Sequence, residues 1–285
     1  MINKIVILGS TGSIGVTTLN TLYKNKKFKV ILLSANKNIK KLLKQCVKFK
    51  SKYAIIENKS SYQKYKLIFK KKNIKLFLGF NNLDKILKNK VSICVNSISG
   101  IQGLYPTLKI IPLTKTILIA NKESIICAWN IILKKLNQNN KKFIPIDSEH
   151  FSIWKLIKNE NKNSINKIIL TASGGPFLNV SRKKLTNIKP KFALNHPNWK
   201  MGKKISIDSS NMMNKIFEFI EAKKIFNLKK ENLSILIHPS SFVHAIVFFN
   251  GNIIKFLAHD TNMNIPISNA LGIDKNLIRV WFLKK

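Results

Sequence analysis

Lys4-Ile5-Val6-Ile7-Leu8-Gly9-Ser10-Thr11-Gly12-Ser13-Ile14-Gly15 is the stretch on which the fold turns. An unbroken apolar run reads as a strand covered on both faces. Glycines three residues apart then turn the chain straight into a helix. Glycine allows the tight turn and a close approach of backbone to ligand, and the N-terminus of the following helix offers free N–H groups to a phosphate. The spacing is G-x-x-G-x-x-G rather than G-x-G-x-x-G, and a ligand-free glycine turn has the same look. Its position directly after the first strand favours a dinucleotide.

Working outward, the same alternation continues. Lys4–Leu8, Phe28–Leu33, Tyr53–Ile56, Lys75–Leu78, Val91–Asn96, Thr116–Ala120 and Phe143–Ile146 are expected strands, with helical spacing in Ile39–Phe49 and Glu123–Leu136. This predicts an α/β fold, a doubly wound parallel sheet over residues 1–146. From Asp147 the character changes to α+β. Lys167–Leu170, Ile235–His238, Phe242–Phe249 and Asn252–Ala258 read as a second sheet within 147–271, with Asn250-Gly251 as a hairpin turn. A single helix is expected over Asp208–Phe226, capped by Asp208 or Ser209.

Composition bounds the function. The 285 residues carry 51 Lys+Arg against 12 Asp+Glu, a net charge of +39. Such a charge invites nucleic acid, but Arg182 and Arg279 are the sole arginines, and arginine is the residue suited to bidentate phosphate and base contacts. Lysine is spread along the whole chain beside asparagine and isoleucine, which is what A/T-rich codons produce. The expectation is therefore no nucleic-acid and no membrane partner. Cys46, Cys94 and Cys127 lack metal-ligand spacing and read as small core residues. The first strand leaves no room for a signal peptide, so a cytoplasmic location is expected.

Four further segments carry chemistry. No acid occurs between Ile2 and Ile56, and Lys37, in Ser34-Ala35-Asn36-Lys37-Asn38, would attract a ribose 2′-phosphate, which favours NADPH over NADH. At the end of a strand in Ala120-Asn121-Lys122-Glu123, Lys122 could serve as acid/base or as a positive charge beside substrate oxygens, while Glu123 also suits a helix start. Asp147 and Glu149, alternate residues of an extended segment, could join Glu218 from a helix as oxygen ligands for Mg²⁺ or Mn²⁺. The competing reading of Asp147-Ser148-Glu149-His150 is a capping cluster before a helix at 151–158. Thr171-Ala172-Ser173-Gly174-Gly175 is a small-residue loop suited to phosphate, and His196 to Gly202, with Trp199 and Met201, reads as a lid.

Taken together, GSTGSIG (9–15), LIANKES (118–124), PIDSEH (145–150), TASGGPF (171–177), HPNWKMGKKISIDSSNMMNK (196–215) with Glu218, and HPSSFVHAIV (238–247) resemble the 1-deoxy-D-xylulose 5-phosphate reductoisomerase family. The resemblance implies a Rossmann-like NADPH domain, a divalent cation (Mn²⁺ or Mg²⁺), a sugar phosphate substrate and a homodimer. The reaction implied converts 1-deoxy-D-xylulose 5-phosphate to 2-C-methyl-D-erythritol 4-phosphate, on the route to isoprenoids. By resemblance, Gly9, Thr11, Gly12, Ser13, Ile14, Gly15, Asn36, Lys37, Asn38, Asn121, Glu123 and Gly202 line the cofactor. Asp147, Glu149 and Glu218 ligate the metal. Ser173, Ser209, Asn214 and Lys215 hold the phosphate, and His196 and Ser148 also touch substrate. Trp199 and Met201 close over it, and Lys122, Glu149, His150 and His244 lie at the reacting groups.

Three positions depart from the family pattern: Asn36 for glycine, Ser240 for glutamine, and Asn262-Met263-Asn264 for a charged segment. Past Gly272 the resemblance fades. Residues 272–285 are read as the remnant of a linker to a C-terminal helical domain that is absent, which predicts exposed apolar surface and puts activity in doubt. The alternatives are a non-catalytic basic binding protein and another NADP-dependent sugar-phosphate dehydrogenase.

Overall fold

The computed structural model describes residues 2–88, 91–199 and 201–273. Seven parallel strands form the first sheet: β1 (Asn3–Leu8), β2 (Phe28–Ala35), β3 (Tyr53–Ile56), β4 (Lys75–Leu78), β5 (Val91–Asn96), β6 (Thr114–Ile119) and β7 (Lys142–Pro145). Their order is β4-β3-β2-β1-β5-β6-β7. The chain builds outward from β1 to β4, then returns to lay β5 on the other side of β1. That reversal opens a crevice beyond the carboxyl ends of β1 and β5, where ligands bind in such sheets.

The connecting helices are α1 (Ser13–Leu22), α2 (Ile39–Lys48), α3 (Lys59–Lys71), α4 (Leu83–Ile86), α5 (Leu104–Ile110) and α6 (Lys122–Gln138). Strand alternation sends Ile5 and Ile7 into one core with Leu19, Leu42 and Phe69, and Val6 and Leu8 into the other with Ile125, Trp129 and Ile132. With a covered layer on each face, the strand has no polar side, which explains its continuously apolar sequence. Cys46 and Cys94 are buried as expected, whereas Cys127 lies exposed on α6.

After the first sheet come α7 (Ser148–Ile157), β8 (Ile165–Ala172), α8 (Arg182–Leu185), α9 (Pro190–Ala193), α10 (Lys203–Ser210) and α11 (Met213–Phe226). Three more strands, β9 (Leu233–Ile237), β10 (Val243–Phe249) and β11 (Ile253–Ala258), complete a second sheet of order β11-β10-β8-β9. The β10–β11 hairpin turns at Asn250-Gly251 as expected, with Gly251 at φ 73°. Ile153 of α7 and Ala222 of α11 pack on one face of this sheet, against Ile168, Leu170, Ala245 and Val247.

Two expectations change here. The single helix over 208–226 is two, because Met212 takes a left-handed φ of 65° and breaks it. Asp208 and Ser209 therefore end α10 rather than cap α11, whose first turn is served by Asn211, accepting from the Met213 N–H at 3.1 Å. The last helix, α12 (Asn264–Ala270), returns to the first sheet, where Ile267, Leu271 and Ile273 join the core containing Leu19 and Leu22. Residues 264–273 thus pack into the first core and against α1, while also touching α7. The expected linker remnant lies, from residue 274 onward, outside the described residues. Among the described residues no helix is long and apolar enough to cross a membrane.

Candidate active site

The glycine turn is built as its sequence implies. Gly9 adopts φ 78°, and a Cβ on it would meet the Ser97 carbonyl at 2.8 Å. Gly15 lies against the turn itself, where a Cβ would stand 2.5 Å from the Gly9 carbonyl, so it allows close packing rather than touching ligand. Lys41 Nζ donates to the Thr11 carbonyl at 2.9 Å, and Gln45 Nε2 to that of Ser10 at 2.9 Å, which braces the turn from α2. Gly12 precedes α1 with no side-chain cap, so the first N–H groups of that helix are free for an anion.

Gly9, Thr11, Gly12 and Asn36 border one cavity at the switch point, together with Glu57, Lys59 and the loop Ser97–Ser99 after β5. Lys37 and Asn38 are exposed and do not border it; Asn38 instead caps α2, accepting from the Lys41 N–H at 3.2 Å. Glu57, Lys59 and Ser97 were not expected from the sequence. Their signal is positional: each follows the carboxyl end of a strand adjoining the turn.

A second cavity lies between the two sheets and receives most of the remaining residues. Ser13 and Ile14 reach it from the glycine turn, and Asp147, Ser148 and Glu149 from the start of α7. The expected extended segment is absent: Asp147 is the residue before α7 and Glu149 lies in its first turn. The capping alternative is half right, since Asp147 occupies the cap position but makes no capping bond. Its carboxylate turns to Lys122 at 2.7 Å instead.

Asp147, Glu149 and Glu218 bring carboxylate oxygens within 4.8 Å of one another. Two ammonium groups sit among them. Lys122 Nζ lies 2.9 Å from Glu218 and donates to Asn214 Oδ1 at 2.8 Å, and Lys215 Nζ lies 2.6 Å from Glu149 and 2.5 Å from Glu218. Burial opposes the charge on Lys122, but Asp147, Glu218 and Glu221 outweigh it and hold the ammonium well above its ordinary range. Of the two roles expected for Lys122, acid/base or positive charge, this arrangement favours the positive charge. Burial likewise opposes ionisation of Glu218, and the two lysines more than compensate, so its carboxyl titrates below the usual range. Asp147 is pushed up, by burial and by crowding from Glu218 and Glu149 in spite of Lys122.

This donor set fits a hard divalent cation. Three carboxylates from two elements converge, all buried or half-buried, and hard cations take such oxygens with positions left for substrate. Close-packed carboxylates repel unless positive charge lies between them, a part taken here by the two lysines.

The phosphate loop and lid are joined. Gly174 and Gly175 adopt φ 83° and 73°, and a Cβ on Gly175 would stand 2.5 Å from the Ser209 carbonyl of α10. His196 Nδ1 accepts the N–H groups of Asn198 (3.2 Å) and Trp199 (3.0 Å), so Nε2 carries the proton and donates to Ser173 Oγ at 3.0 Å. Burial lowers the His196 pKa, which favours this single-proton form. Trp199, Met201, Gly202, Ser209, Asn214 and His244 all border the cavity.

Two expected residues lie elsewhere. His150 is fully buried beneath the carboxylates, with Nε2 at 2.9 Å from the Glu218 carbonyl and its ring stacked on Phe226. Glu123 forms an ion pair with Lys204 at 2.8 Å. Asn121 supports the site from behind, donating to the carbonyls of Ile98 and Gly100 and accepting from the Ser124 N–H. Glu221, not expected from the sequence, is buried 3.6 Å from His150 Nδ1. Only its helical offset of three from Glu218 could have pointed to it.

Residues 5–129 match the family model of 1-deoxy-D-xylulose 5-phosphate reductoisomerase, and residues 143–226 that of the 1-deoxy-D-xylulose 5-phosphate reductoisomerase C-terminal domain. A reductoisomerase of Pelagibacter ubique is 54% identical over 96% of this chain and 72% of its own. One from Wolbachia pipientis is 43% identical over 94% of this chain and 69% of its own. Among solved structures, a DOX-P reductoisomerase in complex with NADPH, fosmidomycin and magnesium superposes with a TM-score of 0.88 at 33% identity, covering 95% of this chain and 69% of that one. The Zymomonas mobilis enzyme in complex with NADPH gives 0.86 at 33% identity, covering 95% and 70%.

Proposed function

Because the chain belongs to the 1-deoxy-D-xylulose 5-phosphate reductoisomerase family, we propose that its inter-sheet cavity carries out that family's reaction. The protein is an NADPH- and divalent-metal-dependent enzyme that rearranges and reduces 1-deoxy-D-xylulose 5-phosphate to 2-C-methyl-D-erythritol 4-phosphate. The observation that carries this reading is the convergence of Asp147, Glu149 and Glu218 beside the glycine turn, the phosphate loop and the lid.

Asp147, Glu149 and Glu218 would hold the cation. When bound, the cation supplies Lewis-acid polarisation of the substrate's carbonyl and hydroxyl oxygens. Lys122 and Lys215 keep positive charge beside those oxygens while one carbon–carbon bond breaks and another forms. Ser173, Ser209, Asn214 and the N–H groups of the Gly174-Gly175 loop fix the phosphate, which orients the carbon skeleton. Gly9, Thr11 and Gly12 would hold NADPH at the glycine turn, with Lys59 at the cavity edge as a further positive charge for its phosphates. When bound, NADPH would supply the hydride for the reduction, and Trp199 and Met201, which border the cavity, would exclude water from the reacting carbon.

The enzyme acts as a homodimer in this reading. The face of the second sheet opposite α7 and α11 presents Ile254, Phe256, Ile246, Phe248 and Ile169 as an apolar patch bordered by Lys167, Thr171 and Ser234, suited to a second copy. NADPH oxidation by the chain as it stands, with 1-deoxy-D-xylulose 5-phosphate and Mn²⁺, tests the proposal. Oxidation that requires both substrate and metal, and that Glu149→Gln abolishes, supports it; a folded protein that binds NADPH without turnover would sink it.

A further inference from the structure

Among the described residues His259 has no hydrogen bond to the carboxylate cluster or the phosphate loop, yet it is 7% exposed and carries a ring nitrogen, Nε2, sealed away with no partner. Its ring stacks on that of His244, with centroids 3.8 Å apart and planes at 28°. His244 in turn meets the edge of Trp199 in the lid at 5.9 Å and 64°. Three rings therefore run from the turn after β11 to the roof of the cavity.

The hydrogen bonds fix both imidazoles. A carbonyl only accepts, so His244 Nε2, 3.0 Å from the His259 carbonyl, carries a proton, and so does His259 Nδ1, 2.7 Å from the Asp260 carbonyl. His244 borders the cavity, and among the described residues its Nδ1 lone pair has no partner. Burial lowers the pKa of each ring to about 4, so each stays with one proton and the assignment holds at neutral pH.

An unpartnered buried acceptor disfavours folding, so a phenylalanine would fill this space more comfortably than His259. What phenylalanine lacks is the Nδ1–H that holds the Asp260 carbonyl. That bond closes a turn also held by the Asn262 N–H on the Asp260 carbonyl at 2.6 Å and the His259 N–H on the Phe242 carbonyl at 2.9 Å, in which the His259 carbonyl points back at His244. The same turn reaches the lid directly, since Thr261 Oγ1 donates to the Asn198 carbonyl at 3.0 Å.

We propose that His259 is a positioning residue: it locks His244 in the Nε2–H tautomer, turns the Nδ1 lone pair to the cavity to accept a substrate hydroxyl, and backs the ring that seats Trp199. The proposal rests on the reductoisomerase reading of this cavity. Its chemical consequence is selectivity for a ligand with a hydroxyl donor at that wall. A ligand presenting only acceptors there would face a lone pair.

Two variants separate the ring from the donor. His259→Phe keeps the stack and removes the N–H; His259→Asn removes the ring and places an amide N–H near the position of Nδ1. The imidazole ¹⁵N spectrum of the full chain reports the tautomer of His244, NADPH binding reports an intact fold, and steady-state kinetics with 1-deoxy-D-xylulose 5-phosphate report the consequence. In His259→Phe the Nε2–H signature of His244 is expected to give way to a mixture. Its kcat/KM should fall by about tenfold or more, the worth of one hydrogen bond to bound substrate, with NADPH affinity unchanged. His259→Asn should restore the tautomer and part of kcat/KM. An unchanged His244 spectrum in His259→Phe overturns the proposal, as does a changed spectrum with unchanged kinetics. The spectrum is read without turnover, so inactivity of the unsubstituted chain would count against the reductoisomerase reading and leave the tautomer arm decided on its own.

Discussion

Glu218 takes Lys122, Lys215 and Asn214 on one carboxylate. Removing its charge leaves two buried ammonium groups with fewer partners and the cation with one ligand fewer. Glu218→Gln is therefore expected to weaken Mn²⁺ binding, read from the electron paramagnetic signal of free Mn²⁺, and to lower kcat by roughly 100-fold or more, with NADPH affinity unchanged. A second residue-scale prediction concerns acid. His244 and His259 are lowered by burial to about 4. Above pH ~6.5 both rings are neutral whether the chain is folded or unfolded. As pH falls from there toward 4, the unfolded chain takes protons that the folded rings refuse, and stability is lost. Glu221, raised to about 7 first by burial, works the other way, favouring the fold as pH falls from 7 toward 4.5. The difference between variants isolates the rings: His259→Phe should gain thermal stability over the unsubstituted chain at pH 5 relative to pH 8. Residue types were legible in the sequence; roles set by burial were not. The sequence offers His150 and His244 as equals, but one is sealed under the carboxylates and the other borders the cavity. For Lys122 the sequence leaves acid/base and fixed charge equally open, and its two carboxylate neighbours favour the charge.

Among elements, the strand–turn–helix of the glycine stretch was the most legible, because each of its demands is local. Gly15 shows what it costs to ignore one. Its Cβ would fall 2.5 Å from both the Gly9 carbonyl and Ser10 Cα, backbone atoms that cannot step aside. Gly15→Ala should therefore displace the turn, raise the Kd for NADPH by about tenfold or more and destabilise the fold by roughly 1–3 kcal/mol, both accessible from fluorescence titration and denaturant melts. The start of α7 and the junction of α10 with α11 were less legible, since neither has glycine or proline to mark it. Asp147 leaves the β7 direction and enters a helix at once, so Asp147 and Glu149 converge by helix geometry rather than by strand alternation. Met212 is a poor candidate for a left-handed residue by type. It is held there between two helices that pack on each other, and the break turns α11 so that Asn214, Lys215 and Glu218 share the cavity. Periodicity reports the face of a helix but not a kink that redirects it.

At the scale of the whole molecule, the strands of both sheets were legible to within two residues at each end, whereas the return of α12 to the first core was not. Ile267 and Leu271 look like any apolar pair in a short helix; only the tertiary structure pairs them with Leu19 and Leu22. The consequence is mechanical. Met263, at the entry to α12, borders the cavity, so one segment ties the N-terminal core to the floor of the site. The open face of the second sheet raises the matching question of what covers it. Register places Ile254 opposite Phe248, and Phe256 opposite Ile246, on the side away from α7 and α11. Phe256 is 62% exposed and Ile254 55%, at the edge strand of a sheet whose other face packs α7 and α11 on its central strands. An isologous pairing of two such faces would bury apolar area worth about 25 cal/mol per Å² and shield the edge from other strands. Phe256→Lys places a charge at the centre of that contact without touching the cavity. The unsubstituted chain should sediment as a dimer and Phe256→Lys should shift toward monomer, with NADPH binding retained because the glycine turn lies in the other sheet. A monomeric unsubstituted chain would show that the face is covered by something other than a second copy, while leaving the chemistry of the carboxylate cluster untouched.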